Sequence, residues 1–354
     1  MANRTWFSMD EGMDGTYGCV KFFRRNGYEF ARKKPKQGCE HVLEGEMRWH
    51  RKLGILKTYE EVNALMRQGG SLVCHGCLIS FSLGTNRLWT PRAVGPLSDP
   101  IVRAHIIDNF PSSTIALYSI LDDLHRCGVS HNDLSANNVV MTTSMEFALI
   151  DLATIKEYHT CPCTDCTLAT QPPECMMFLP SLYVSPAHYK SDVWSMACII
   201  AMVVNNGLYP FADPSWETKD WVMSNVLTNI YHSLGVPGVT GIQNSLGGSF
   251  GVIDQNVQPH VLPHNANCRA IQIINSSKQI ESVETKRYMD CPALKLPEEI
   301  KLARGILDKG LCYFAARPTA AEVMDYIWRE REAKRANEEL KHLREVVNNE
   351  LNNE

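Results

Sequence analysis

The sequence predicts an α+β fold, with strands gathered in residues 4–100 and helices dominating after them. Three observations carry that prediction. A hairpin signal stands near the N-terminus, apolar residues recur at helical spacing from Ile115, and Val193–Val204 is an almost unbroken apolar run.

Taken in order, Tyr17, Val20, Phe22 and Phe30 recur around Asn26-Gly27, a dipeptide that favours a tight hairpin. Residues 42–53 carry helix formers, interrupted by Gly45, and give the one helix expected in this part. Leu72–Phe81 and Leu88–Val94 read as two further strands. Ile115, Leu117, Ile120, Leu121 and Leu124 then mark a helix. Asn138–Met141 and Phe147–Leu152 are short apolar runs beside acidic or amide residues. Val193–Val204 is too short for a bilayer and suits a buried helix. Residues 235–296, rich in Gly, Asn, Ser and Pro and weakly periodic, read as a long surface insertion. Residues 297–328 return to a helical pattern. In the charged segment 329–354, Leu340, Leu343, Val347 and Leu351 recur at three- and four-residue steps. A solvated extension of the last helix and a coiled-coil or partner-docking helix both fit that spacing.

The 354 residues are 44% hydrophobic and 21% charged, ordinary values for a folded chain. That length allows one large domain or two lobes sharing a cleft. A formal net charge of −4 gives no general pull toward nucleic acid or an anionic membrane surface, so neither is an expected partner. Met1–Asp10 lacks the apolar core of a secretory signal, and no run of about 18 apolar residues reads as a membrane span. The thirteen cysteines therefore read as reduced thiols of an intracellular protein, cytoplasmic or nuclear. His159, Cys161, Cys163 and Cys166 offer four soft ligands, but their spacing matches no strong zinc signature, and free thiols are expected. Cys74 and Cys77 sit in a strand-like run, where alternation sends the sulfurs to opposite faces and implies core packing.

The chemistry-bearing residues begin at His131-Asn132-Asp133-Leu134-Ser135-Ala136-Asn137-Asn138, between a helix and a strand-like run. Leu149-Ile150-Asp151-Leu152-Ala153 follows. Two Asp and one Asn presented on loops can hold Mg²⁺, which prefers oxygen ligands, while an Asp left free of metal can accept a proton from an alcohol. Singly, each of these residues reads as well as a turn former or cap.

Their order is more specific. Met13-Asp14-Gly15-Thr16-Tyr17-Gly18-Cys19-Val20, then Phe30-Ala31-Arg32-Lys33, then Glu46, precede the two loops. Pro172-Pro173-Glu174, Ser191-Asp192-Val193-Trp194-Ser195, Pro210-Phe211 and Arg317-Pro318-Thr319 follow them. Across residues 5–328 this resembles the eukaryotic-type protein kinases, in their divergent Ser/Thr branch. The resemblance implies a bilobal fold: a small β-rich lobe over residues 1–94, a hinge near Arg92–Pro96, a larger helical lobe over 95–328 and a helical tail over 329–354. It implies ATP between the lobes against Gly15, Thr16, Tyr17, Gly18, Val20, Ala31 and Lys33. It further implies Lys33 held by Glu46, Asp133 at the acceptor hydroxyl, and Asn138 and Asp151 as Mg²⁺ ligands, with a protein as substrate. His131 and Asp192 would support the catalytic loop, and Glu174 would pair with Arg317. Thr167 stands where Ser/Thr kinases place a Thr near the acceptor site.

The chain also departs from the pattern. Met13 occupies the place of the first loop glycine, Asn132 that of an Arg, and Ser135 that of a Lys reaching the γ-phosphate. Asn132 implies activity without a phosphorylated activation segment. Ala153 replaces a glycine whose dihedral range alanine reaches only at a cost. These departures keep a second class open, a pseudokinase that binds nucleotide or a partner as a scaffold. A small-molecule phosphotransferase is a third. Thr16-Tyr17 resembles the pair whose phosphorylation inhibits cell-cycle kinases, where added negative charge would repel ATP.

Overall fold

The structure, a computed structural model, describes residues 6–15, 17–158, 167–172, 189–210, 290–312 and 317–351. Most of the expected insertion, the His159–Cys166 cluster and Glu174 lie outside the described residues.

The chain opens with an antiparallel meander, β1 (Phe7–Asp14), β2 (Gly18–Arg25) and β3 (Tyr28–Pro35). Asn26 and Gly27 both take positive φ, 53° and 83°, so the two-residue turn matches the strand twist and fixes Arg25 opposite Tyr28. Helix α1 (Glu40–Lys52) follows, burying Leu43, Glu46, Met47 and His50 on one face. The meander continues through β7 (Ser80–Ser82) and β8 (Leu88–Pro91) into a six-stranded sheet ordered β1-β2-β3-β8-β7-β4, with β4 (Leu56–Lys57) at its edge. Under it, Trp6, Phe23, Phe30, Tyr59, Phe81 and Trp89 form an aromatic core, with Trp6 and Trp89 centroids 4.3 Å apart. Arg25 and Arg32 lay their guanidinium groups over these rings at 4.3–5.5 Å, so the cations contribute packing as well as charge.

Two expectations are corrected in this part. A second helix, α2 (Tyr59–Gln68), lies between β4 and the later strands. Its start was legible: Thr58 and Glu61 form a reciprocal capping box, and Gly69 ends the helix in the left-handed conformation. The predicted strand Leu72–Phe81 is instead a tight hairpin, β5 (Val73–Cys74) and β6 (Cys77–Leu78), followed by β7. His75 and Gly76 turn it with φ of 50° and 73°, which makes Cys74 and Cys77 cross-strand neighbours, so the alternation argument fails. The eight described cysteines are free thiols. Burial, with the neighbouring thiols adding to it, pushes the Cys77 and Cys127 pKa values up, so both are neutral packing groups.

A second sheet, ordered β5-β6-β12-β11-β9, joins the hairpin to β12 (Phe147–Leu149), β11 (Val139–Met141) and β9 (Gly95–Pro96). A Cβ on Gly76 would lie 1.8 Å from the Ile120 carbonyl oxygen, so only glycine lets the hairpin tip sit on the helix backbone. That helix is α4 (Phe110–Arg126), preceded by α3 (Pro100–Asp108), whose N-terminus Asp99 caps through the Ile101 N–H. Helix α5 (Tyr189–Val204) is buried from Ser191 to Val204, as its all-round apolar sequence requires. Helix α6 (Pro297–Gly310) packs on α5. Residues 290–296, expected within the insertion, belong to this packing, with Cys291 and Leu294 buried in the core. Helix α7 (Ala320–Leu351) seats Val323 and Ile327 in the same core and then runs on fully exposed from Arg331 to Val346.

Candidate active site

A cavity of about 350 Å³ lies between the first sheet and the β9–β11–β12 edge of the second. Val20 and Ala31 line it from the meander, Thr90 to Pro96 from the connection between the sheets, and Asn138, Val140, Ile150 and Asp151 from beneath. The β2–β3 register sets Val20 opposite Lys33. Strand alternation turns Lys33 into the cavity, while the adjacent Lys34 is exposed.

Lys33 Nζ lies 2.8 Å from Glu46 Oε2 and 2.7 Å from Asp151 Oδ1. Glu46, rather than Glu44, meets the lysine because it sits on the buried face of α1, where it is 2% exposed. Its second oxygen accepts the Leu152 N–H at 3.3 Å, tying α1 to the segment after Asp151. Burial alone would raise the Glu46 pKa, but the Lys33 charge and then His50 overcome it and leave a pKa of about 2. Burial likewise disfavours the Lys33 cation, yet Glu46 and Asp151 outweigh it and hold the pKa above the ordinary lysine range.

Asp151 takes φ 59°, a left-handed conformation that Asp tolerates, and Leu152–Thr154 then form one 3₁₀ turn. Ala153 thus sits in right-handed 3₁₀ geometry. The strain expected from the missing glycine does not arise, because the left-handed position is one Asp already fills.

The loop from His131 to Asn138 is held from several sides. Buried Asp192 on α5 accepts the His131 N–H at 2.7 Å and the Asn132 N–H at 2.9 Å, and meets His125 Nε2 at 3.0 Å. His131 meets the Asp133 N–H through Nδ1 at 3.3 Å and the Ile150 carbonyl through Nε2 at 3.0 Å, so its ring ties the loop to the strand end before Asp151. Asn132, at φ 66°, donates its amide to the Ser130 and Thr154 carbonyls, linking the loop to the 3₁₀ turn. Asn138 donates its amide to the Asp133 carbonyl at 2.8 Å and to Asp133 Oδ2 at 3.2 Å. Its side-chain oxygen is therefore the end suited to a hard cation. Thr167 donates its N–H and its hydroxyl to Asp133 Oδ1, both at 2.7 Å. Asp133 is raised above the ordinary Asp pKa by burial; the Thr167 bonds pull against this, and the Asp151 charge adds to it.

The β1–β2 turn is closed by a Gly15 N–H to Gly18 carbonyl bond of 2.8 Å. A Cβ on Gly18 would stand 2.7 Å from the Lys34 carbonyl oxygen, so glycine is required there for close packing on β3. Tyr17 is 40% exposed at the turn, Met13 lines the cavity from β1, and Thr16 lies outside the described residues. Ser135, in the place of the expected Lys, is buried in the loop.

The structure thus gathers Lys33, Glu46 and Asp151 in one cluster, and Asp133, Asn138 and Thr167 in another. The sequence reading missed Thr170, whose hydroxyl donates to the Leu134 carbonyl at 2.6 Å while its own carbonyl accepts from Ser195 at 2.8 Å. It also missed Thr90 and Ala93 on the cavity wall. Neither has a pattern of its own; their positions follow from the sheet.

No family model matches the chain. Over 97 residues it is 31% identical to serine/threonine-protein kinase STK11 of Rattus norvegicus, Gallus gallus and Homo sapiens, a stretch covering 26% of this chain. That stretch covers 21% of those proteins, so the chain spans about a fifth of the length of the curated relatives it matches. The similarity supports a partial, protein-kinase-like relationship. Among the described residues, no helix is long and apolar enough to cross a membrane.

Proposed function

We propose that the chain is an ATP- and Mg²⁺-dependent protein kinase that transfers the γ-phosphate to a Ser or Thr hydroxyl of a protein substrate. The observation that carries this reading is Lys33, bridged between Glu46 and Asp151 at the cavity, with Asp133 and Asn138 on the facing loop. A lysine shared by two carboxylates has no packing reason to sit at a cavity mouth. It is suited to polyanionic phosphates.

The cavity has the size of a small-molecule site, with apolar walls for a nucleobase from Val20, Ala31, Leu88 and Val140, and with Lys33, Glu46 and Asp151 in its lining. Asn138 and Asp151 offer the hard oxygen donors that Mg²⁺ takes alongside phosphate oxygens, so the residues fit that ion. When bound, Mg²⁺ would neutralise charge on the β- and γ-phosphates. The chain's own groups do the rest. Lys33 binds phosphate oxygens and is kept cationic and oriented by Glu46. The Gly15–Gly18 turn follows Met13, which lines the cavity, and its glycines leave room for phosphates to approach the backbone. Asp133 accepts the proton of the attacking hydroxyl, and its raised pKa makes it a better base than an exposed Asp. Thr167 fixes the Asp133 carboxylate beside the acceptor, which favours a Ser or Thr hydroxyl. Ser135 supplies no positive charge to the transferring group, so turnover is slower than with a lysine there, by about a hundredfold.

The test is γ-phosphate transfer from labelled Mg·ATP to generic protein acceptors, wild type beside Asp133→Asn. Transfer lost in the variant supports the reading. Stabilisation by Mg·ATP without transfer would move the conclusion to a nucleotide-binding pseudokinase, the reading that Ser135 favours.

A further inference from the structure

Helix α7 changes character part-way along. Lys301 and Lys334 tie it to α6 through Glu330 and Glu298, at 2.9 Å each. From Arg331 to Val346 every residue is exposed, so one helix of 32 residues, about 48 Å long, leaves its second half without a core. In proteins most helical stability comes from packing an apolar face, which this half does not do within the chain. Internal pairs such as Arg335–Glu339 at 3.1 Å support it locally. They do not account for Leu340 and Leu343, which stand 47% and 60% exposed.

The apolar residues are ordered. Ala333, Ala336, Leu340 and Leu343 recur at alternating three- and four-residue steps, and the sequence continues the series at Val347. This is the spacing of a two-helix seam, with Ala333, Leu340 and Val347 at one seam position and Ala336 and Leu343 at the other. In that frame Glu339 flanks the seam on one side and Arg344 on the other. Two such helices running parallel bring Glu339 of each against Arg344 of its mate, an attractive pair formed twice by symmetry. Running antiparallel, Glu339 would face Val346 instead, and the attraction is lost.

We propose that the exposed half of α7 pairs in parallel with α7 of a second copy of this chain, making a homodimer through Leu340, Leu343 and the Glu339–Arg344 contacts. The seam is short and begins with two alanines, so the dimer is weak and concentration-dependent. Pairing is independent of phosphoryl transfer and stands or falls separately from it.

Sedimentation of the full chain over a range of concentrations tests it. The expected result is a rise from the 39.9 kDa monomer toward twice that mass. Leu340→Glu with Leu343→Glu should remain monomeric throughout, with an unchanged melting temperature of the core because both side chains are exposed. Glu339→Arg should weaken the dimer at least tenfold, and adding Arg344→Glu should restore it. A wild type that stays monomeric at every concentration overturns the proposal. So does a dimer that survives the double leucine change, or a charge reversal that the second change does not rescue.

Discussion

Glu46 and Asp133 are both carboxylates withdrawn from water near the same cavity, and they are driven in opposite directions. Glu46 is held at about 2 because a lysine stands 2.8 Å away. Asp133 is raised because burial outweighs the Thr167 hydrogen bonds and the His131 interaction that pull it down, and the Asp151 charge adds to the rise. Burial acts alike on both; the nearby cation decides the outcome. One group is thereby locked as an anion that orients Lys33. The other is moved toward protonation, the direction a proton-accepting group needs. The contrast is the one that the proposed roles require, a positioning carboxylate beside Lys33 and a proton-accepting one at the acceptor.

Removing the cation should break the contrast most severely. Lys33→Met leaves Glu46 buried without its counter-charge, and should lower stability by about 3–5 kcal/mol while abolishing transfer. In the wild type the depressed Glu46 pKa contributes stability that is present above its ordinary value of 4.5 and is lost as pH falls toward about 2. In Lys33→Met the group is raised instead, so that part of the acid limb should disappear. Denaturant titrations at pH 7 and along the acid limb check both statements.

Asp133→Asn should act on the other side of the comparison. Transfer should fall by about 10²–10⁴-fold, the span of a general base. Stability at neutral pH should hold or rise slightly, because a buried charge that is costly above the ordinary Asp pKa is gone. A large loss of melting temperature would instead make Asp133 structural.

Asp192→Ala should move the loop that carries Asp133. It leaves the His131 and Asn132 N–H groups buried without their acceptor, at about 1–3 kcal/mol for each group left unsatisfied. Unfolding and transfer rates should both report it. The smallest effect sharpens the contrast: Thr167→Val removes one of the bonds that restrain the Asp133 pKa. The acid limb of the rate profile should shift to higher pH, with melting little changed, as a pH–rate series on both proteins would display.

The site was legible in the sequence wherever side-chain chemistry repeats at fixed offsets. Lys33, Asp133, Asn138 and Asp151 could be named because they stand in the order of motifs that resembles the protein kinases; singly, each read as well as a turn former or a surface charge. Glu46 was named from its place in that order, and the face of α1 that it shares with Leu43, Met47 and His50 carries it to Lys33. What was not legible rests on backbone conformation. His75-Gly76 turns the chain with left-handed angles that a histidine seldom announces, so a hairpin read as a strand. The expected penalty at Ala153 vanished because the left-handed residue is Asp151. Helix α2 was missed although Thr58, Glu61 and Gly69 mark both its ends, since its apolar stripe is short. The Asp99-Pro100 start of α3 was overlooked for the same reason.

The glycine at the hairpin tip has a mechanical consequence. Between Leu78 and Ser80 the backbone leaves the second sheet and enters the first, and just before this Gly76 is pressed onto the backbone of α4. The two sheets are therefore riveted at the rear of the molecule, where no side chain exists to act as a spring. The Lys33–Asp151 contact, from β3 of the first sheet to the segment after β12 of the second, is an ion pair that crosses the cavity.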